Sequence, residues 1–229
     1  MALYTIGDLH LSLGGSKPMD IFGDKWANHV ERLRESFSHL TADDVTVLAG
    51  DLSWGISLEE SLPDFQFIDA LPGRKIILKG NHDYWWGTAT KMKKFFEAHG
   101  IESIDILFNN CFFYGDYALC GTRGWFYEEA RGEAHDRKIM LREVGRLETS
   151  LKAAGDKMKL VFLHYPPKYL GYECPEILDL LDAYHVPLCC YGHIHSRGCR
   201  SAFQGMYHDT EFRLLSADYI SFCPRRILP

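Results

Sequence analysis

The chain has 229 residues, a formal net charge of −6 and no run of Lys or Arg, which argues against an arm for non-specific polyanion binding and against a nucleic acid as the default partner. With 46% hydrophobic and 24% charged residues, a chain this long buries a core without disulfides or a structural metal, so any metal asks for a functional reason. Seven cysteines, an odd number with no C-x-x-C pair, suit a reducing compartment. No apolar stretch approaches the ~20 residues that span a bilayer, and no basic segment precedes the first apolar run. The expectation is a cytoplasmic protein without a membrane partner, organised as a single domain over residues 1–229.

In chain order, short apolar runs end repeatedly in polar residues. Leu3–Ile6 leads to Asp8 and His10, Val45–Ala49 to Gly50-Asp51, and Lys75–Leu78 to Gly80-Asn81-His82-Asp83. Leu160–Leu163 leads to His164, and Leu188–Tyr191 to Gly192-His193-Ile194-His195. Runs this short, rich in Val, Ile and Leu and bounded by Gly, predict buried strands. Between them, Trp26, Val30, Leu33, Phe37 and Leu40 recur at helical spacing, as do Met140, Leu141, Val144, Leu147 and Leu151. Weaker helical patterns cover 57–71, 88–99 and 175–184. Alternation of strand and helix predicts βαβ units and a largely parallel sheet. Ile106–Tyr114 and Tyr117–Thr122, flanking Gly115-Asp116, predict an antiparallel hairpin. The tail from Glu211 to Ile220 predicts at least one further strand.

Open α/β sheets bind ligands at the carboxyl ends of their strands. Here those ends collect Asp8, His10, Asp51, Asn81, His82, Asp83, His164, His193 and His195, all oxygen or nitrogen donors. Such a set suits Mn, Fe, Zn, Co or Ni better than a thiophilic ion. Residues two apart in an extended segment point the same way, so Asp8/His10 and His193/His195 each read as a two-pronged clamp. Asp51, with two carboxylate oxygens, is suited to bridge two ions, and the donors are too many for one.

The ordered series Asp8-x-His10, Gly50-Asp51, Gly80-Asn81-His82-Asp83, His164 and Gly192-His193-x-His195 resembles the calcineurin-like metallophosphoesterase superfamily. The resemblance implies an α/β fold of two mixed β-sheets packed as a sandwich with helices outside, in four layers. It implies two divalent metal ions, one bound by Asp8, His10 and His195, the other by Asn81, His164 and His193, with Asp51 bridging. It also implies that His82 contacts the phosphate and assists the leaving group while Asp83 orients its ring. The activity so implied is hydrolysis of a small or medium phosphoester by a metal-bound hydroxide, diesters slightly ahead of monoesters. The segment Asp51-Leu52-Ser53-Trp54-Gly55 lacks the Arg of the Ser/Thr protein phosphatase branch. His82 stands where a lipid A precursor hydrolase has Arg.

Two other classes compete: a nuclease or nucleotide phosphohydrolase, and a non-catalytic scaffold that keeps the fold. Filled ligand positions oppose the scaffold. Arg123, between two glycines after a strand, reads either as a grip on a phosphate oxygen or as an ion-paired Arg. Trp54, Tyr84, Trp85, Trp86, Trp125, Phe126, Tyr127 and Tyr165 crowd the motifs, either as core or as walls of a pocket. Glu128–Lys138 reads as the solvated start of a helix or as a mobile rim.

Overall fold

A computed structural model describes residues 1–15, 17–126 and 133–229. The elements follow in chain order as β1 (Leu3–Ile6), α1 (His29–Phe37), β2 (Val45–Leu48), α2 (Leu62–Ala70), β3 (Arg74–Ile77), α3 (Ala89–Ala98) and β4 (Ile104–Ile106). They continue as β5 (Phe112–Tyr114), β6 (Tyr117–Thr122), α4 (Glu133–Ala153), β7 (Met158–Leu163), β8 (Lys168–Tyr169), β9 (Tyr172–Glu173), α5 (Pro175–Ala183) and β10 (Leu188–Tyr191). The last are β11 (Gly205–Tyr207), β12 (Thr210–Leu214) and β13 (Arg225–Leu228). The fold is mixed α/β, with two large mixed sheets accompanied by helices, as the motif series implies.

The chain divides into two compact units, one of Met1–Ile106 with Leu215–Pro229, the other of Leu107–Leu214. In the first unit the sheet order is β13-β1-β2-β3-β4. Strands β1 to β4 run parallel, with Ile6 opposite Leu48 and Leu48 opposite Ile77, while the edge strand β13 is antiparallel to β1. Leu3, Ile6, Val47, Leu48, Ile76 and Ile77 are all buried, the continuous burial expected of parallel strands covered on both faces. Phe65 of α2 meets Phe96 of α3 and Trp85 edge-on at ring distances of 5.1 and 4.7 Å, an arrangement aromatic quadrupoles favour.

In the second unit the order is β11-β12-β10-β7-β6-β5, with β6, β7, β10 and β12 mutually parallel. The apolar stripe of α4 enters the same core as Val161, Leu163, Ile177 and Tyr191 through Met140, Leu147 and Leu151. Cys189 and Cys190 are buried within β10. Burial pushes the Cys190 thiol up to about 12 and raises that of Cys189 as well. Both therefore act as small hydrophobes and not as nucleophiles.

The structure changes the expected boundaries in three places. The run at 106–114 is not one strand. Ile104–Ile106 closes the first sheet as β4, and only Phe112–Tyr114 forms the hairpin with β6, Tyr114 opposite Tyr117. Gly115 makes the two-residue turn possible with φ of 55°. The helix expected over 57–71 begins at Leu62, because Pro63 fits only a first turn. The C-terminal β13 has no periodic signal, since its residues are exposed or half-buried. Of the charged segment 128–138, residues 133–138 are helical. Tyr127 and positions 128–132 lie outside the described residues.

Asp44 ties the start of β2 to the chain terminus. Its carboxylate accepts from the amides of Ala2 at 2.6 Å and Thr41 at 2.8 Å. The Thr41 amide leads in holding its pKa below 3.8, against the opposing effect of burial. A depressed carboxylate contributes its stability above the unfolded value and loses it as the pH falls through the lower folded value. Asp44→Asn is therefore expected to cost about 1–2 kcal/mol at neutral pH. Urea unfolding should show that gap closing as the pH falls below the ordinary carboxylate value.

Candidate functional site

Every site residue anticipated from the motifs lies at the carboxyl end of a parallel strand. Asp8 and His10 follow β1, Asp51 follows β2, and Asn81, His82 and Asp83 follow β3, all in the first unit. Arg123 follows β6, His164 follows β7, and His193 and His195 follow β10, all in the second.

In the first unit, the Asp8 amide donates to the carbonyl of Gly50 and the His10 amide to that of Asp51, both at 2.9 Å. The Leu11 amide donates to Leu52 O, and the Trp54 amide returns to Leu11 O. The loops after β1 and β2 thus continue the pairing of their strands. Asp8 and His10 bring ligand atoms within 4.8 Å of each other. His10 Nε2 stands 3.8 Å from Asp51 Oδ2. All three residues are buried.

The clamp at Asp8/His10 does not arise from extended backbone. Asp8, His10 and Asp51 have φ of 60°, 46° and 52°. Left-handed backbone at non-glycine residues is costly and clusters where a site over-determines it. Gly80 completes this half. A Cβ there would lie 2.0 Å from Asp51 Oδ1 and 2.2 Å from its backbone nitrogen, so only glycine lets the loop after β3 approach Asp51 this closely.

Asp83 has a different part from the one the motif implied. Its fully buried carboxylate accepts from the backbone amides of Gly80 at 2.7 Å, Leu52 at 2.8 Å, Asp51 at 2.9 Å and Ser53 at 3.4 Å, and from Trp85 Nε1 at 3.1 Å. Burial raises its pKa, and the amides oppose that by favouring the ionised form. The carboxylate is committed to the Asp51 turn, so the expected orientation of the His82 ring by Asp83 is replaced by a positioning role on Asp51. His82 instead has Nδ1 3.3 Å from Tyr84 Oη, and its amide donates to Asp51 Oδ1 at 2.8 Å. Trp54 packs its ring on both histidines, at 5.0 Å from His10 and 4.5 Å from His82. The residue types flagged Tyr84 and Trp54 only as neighbouring aromatics. Their pairing with His82 and His10 arises in three dimensions and has no spacing signature.

In the second unit, Leu163 opposite Tyr191 brings the ends of β7 and β10 side by side, and the Gly192 amide donates to His164 O at 3.1 Å. His164 and His193 have ligand atoms within 4.8 Å of each other, their rings edge-on at 5.2 Å. His193 is again left-handed at φ 71°, while His195 is extended and caps a short 3-10 helix over Ser196–Ser201. Tyr165 packs on His193 at 4.5 Å.

Arg123 is ion-paired, with its Nε buried and without a hydrogen-bond partner. Its Nη2 stands 3.4 Å from Oε1 of the buried Glu143, which also binds Thr122 Oγ1 and Arg146. Its guanidinium lies 5.2 Å from the Trp125 ring and 5.9 Å from that of Tyr165. Trp85, Trp125 and Tyr165 are buried, Trp54, Trp86 and Phe126 half-buried, and Tyr84 exposed.

The first unit thus presents carboxylate and imidazole donors on left-handed turns, and the second presents imidazoles, His164 buried and His193 and His195 half-buried. That donor chemistry fits divalent ions of the Mn to Zn series.

A family model described as calcineurin-like phosphoesterase matches residues 1–197, and the chain belongs to that family. It is accordingly a metal-dependent hydrolase of phosphoric esters. No curated protein sequence matches it. Among solved structures, it is similar to the phosphopantetheinyl hydrolase PptH of Mycobacterium tuberculosis, at 14% identity and a TM-score of 0.57, covering 100% of this chain and 96% of that one. It is also similar to TT1561 of Thermus thermophilus, at 13% and 0.53, covering 99% and 97%. A protein of unknown function from Aquifex aeolicus, AQ665, follows at 16% and 0.50, covering 98% and 95%. At these identities the likeness is one of fold.

The bonding of Asp83 separates its two roles by experiment. Asp83→Asn turns one oxygen acceptor into a donor facing N–H groups and loosens the Asp51 turn. Divalent metal affinity is expected to fall about 10–100-fold, read by titration of metal-stripped protein. Unchanged affinity with a lowered turnover would return Asp83 to the service of His82.

Proposed function

Taking this calcineurin-like phosphoesterase as the premise, we propose that it hydrolyses phosphodiesters of small or medium size with two divalent ions. Asp8, His10 and His195 would hold one ion and Asn81, His164 and His193 the other, with the Asp51 carboxylate available to both. The observation that carries the reading is the convergence of this ordered donor set on strand ends whose ligand residues Asp8, His10, Asp51 and His193 accept left-handed backbone. Strain of that kind, at about 1–3 kcal/mol per residue, accords with a site selected for ligation.

Bound divalent ions supply Lewis-acid polarisation of phosphoryl oxygens and acidify water near neutral pH. The chain's own residues do the rest. Asp51 Oδ1 fixes the His82 backbone through its amide. Tyr84 Oη stands at Nδ1 of His82, and the imidazole is the group that delivers a proton to the departing oxygen.

The engagement of Arg123 favours diesters. A monoester presents a second ionised oxygen that calls for an added cation, and Arg123, the candidate for it, is held by Glu143.

Two measurements test this. Metal-stripped protein assayed on bis-p-nitrophenyl phosphate and p-nitrophenyl phosphate should recover activity with added Mn, Co, Ni, Zn or Mg and favour the diester. A monoester preference would overturn that choice, and inactivity with every metal would overturn the hydrolysis itself. His82→Ala should keep its metal and lose about 10²–10⁴-fold in kcat, more for an alkyl leaving group than for p-nitrophenolate. Loss of metal in that variant would make His82 a ligand.

A further inference from the structure

The first unit contains a cavity of about 360 Å³ lined by Ser12, Lys17, Trp54, Gly55, Glu60 and Asp64, with Gly14 and Gly15. None of the proposed ligands lines it, and the reaction chemistry does not use it. One of its walls is nevertheless Trp54, the indole that packs on His10 and His82. The cavity therefore begins one indole away from the imidazoles proposed to work on the ester.

Its charges are unequal in availability. Asp64 is buried, with Oδ1 accepting from the Leu13 amide at 2.7 Å and Oδ2 from Ser53 Oγ at 2.5 Å. Glu60 turns Oε2 to the Ile56 amide at 3.0 Å. Lys17 is different. Among the described residues it has no carboxylate within ion-pairing distance, and its Nζ rests on the Trp54 ring, 3.0 Å from the centroid, with Phe22 at 5.7 Å. A cation held over an indole keeps its charge and its outward N–H donors.

Gly14 and Gly55 bring the rim into close approach with the segment 60–61. A Cβ on Gly14 would meet Glu60 O at 2.2 Å, and one on Gly55 would meet Ser61 Oγ at 2.2 Å. The Lys17 amide donates to Ser12 Oγ at 3.2 Å, which fixes the stem of the lysine to the cavity wall.

We propose that this cavity is a substrate subsite in which Lys17, seated on Trp54, binds a second anionic group, a phosphate or carboxylate, carried on one arm of the phosphoester. The inference rests on the phosphodiesterase reading above and narrows its substrates to esters with a further negative charge. Ser12 Oγ offers a hydroxyl at the same wall, and Trp54 gives an apolar face for the part of the arm that joins the two anions.

The test compares thymidine 5′-(p-nitrophenyl phosphate) with and without a 3′-phosphate, using protein loaded with whichever metal restores hydrolysis of bis-p-nitrophenyl phosphate. The wild type should prefer the doubly anionic ester by about tenfold in kcat/KM, mostly through KM. Lys17→Met should bring that ratio close to one, and Lys17→Arg should retain most of it. Equal efficiency for the two esters in the wild type, or a preference that survives Lys17→Met, overturns the subsite. If Lys17 instead gripped the reacting phosphate, both esters would slow together and the ratio would persist, which also overturns it. Hydrolysis of none of the three esters with any metal would overturn the phosphodiesterase reading, and the subsite with it. Hydrolysis of bis-p-nitrophenyl phosphate with no preference between the thymidine esters sinks the subsite alone.

Discussion

The donor cluster of the first unit depends on one buried carboxylate. Asp83 gathers the amides of Gly80, Asp51, Leu52 and Ser53 and the indole N–H of Trp85. A bare carboxylate without solvent is costly, and hydrogen bonds to a charged acceptor each return about 1.5–3 kcal/mol. The geometry that satisfies Asp83 therefore also sets the backbone of the turn that carries Asp51. That turn then holds its neighbours. Asp51 O accepts from the His10 amide, its Oδ1 accepts from the His82 amide, and its nitrogen sits against Gly80. Ser53 extends the chain of dependence by donating its hydroxyl to Asp64 on α2. Helix α2 is thereby tied to the loop that carries Asp51.

Strand ends do the positioning in both units, but through different means. After β1 and β2 the chain keeps pairing backbone to backbone for several residues, and the ligands emerge from a ladder twisted into left-handed φ at Asp8, His10 and Asp51. After β7 and β10, aromatic packing does more of the work. Tyr165 and Phe126 approach the His193 ring at 4.5 and 6.2 Å, and Phe126 in turn meets Tyr172 at 4.8 Å. Carboxylates and amides govern one half, rings the other. That difference follows from composition, because the first half supplies the acids and the second only imidazoles.

Much of this was legible before any coordinates. The runs Leu3–Ile6 and Leu188–Tyr191 are strands with the bounds the apolar pattern marks, because burial on both faces forces continuous hydrophobicity. The positions of the donors at strand ends were equally readable, since Gly and Asp or His interrupt each run. What could not be read was partnership. Nothing in Asn81-His82-Asp83 says that the carboxylate turns back to amides of residues 51–53 while the imidazole meets Tyr84. Adjacent residues diverge according to tertiary bonds. The i, i+2 argument for Asp8 and His10 reached the right neighbours through the wrong backbone. Extended geometry was assumed, and paired left-handed residues achieve the proximity instead. β13 and the split between β4 and β5 were hidden because edge strands and crossings carry no regular burial pattern.

The two units also differ in how they treat their cations, and this bears on substrate choice. Arg123 and Arg146 both approach Glu143, a carboxylate with no exposed surface. Removing Arg146 from that buried charge is unfavourable, and Arg123 shares the same acid at 3.4 Å. Lys17 rests on an indole instead. An aromatic face neutralises nothing and gives up the ammonium at small cost, since a cation–π contact at a partly exposed ring is worth only about 0.5–2 kcal/mol. An incoming anion therefore gains an ion pair with Lys17 without breaking one. A cation committed to a buried acid stabilises the fold, whereas a cation parked on a ring beside His10 and His82 is placed to choose among ligands.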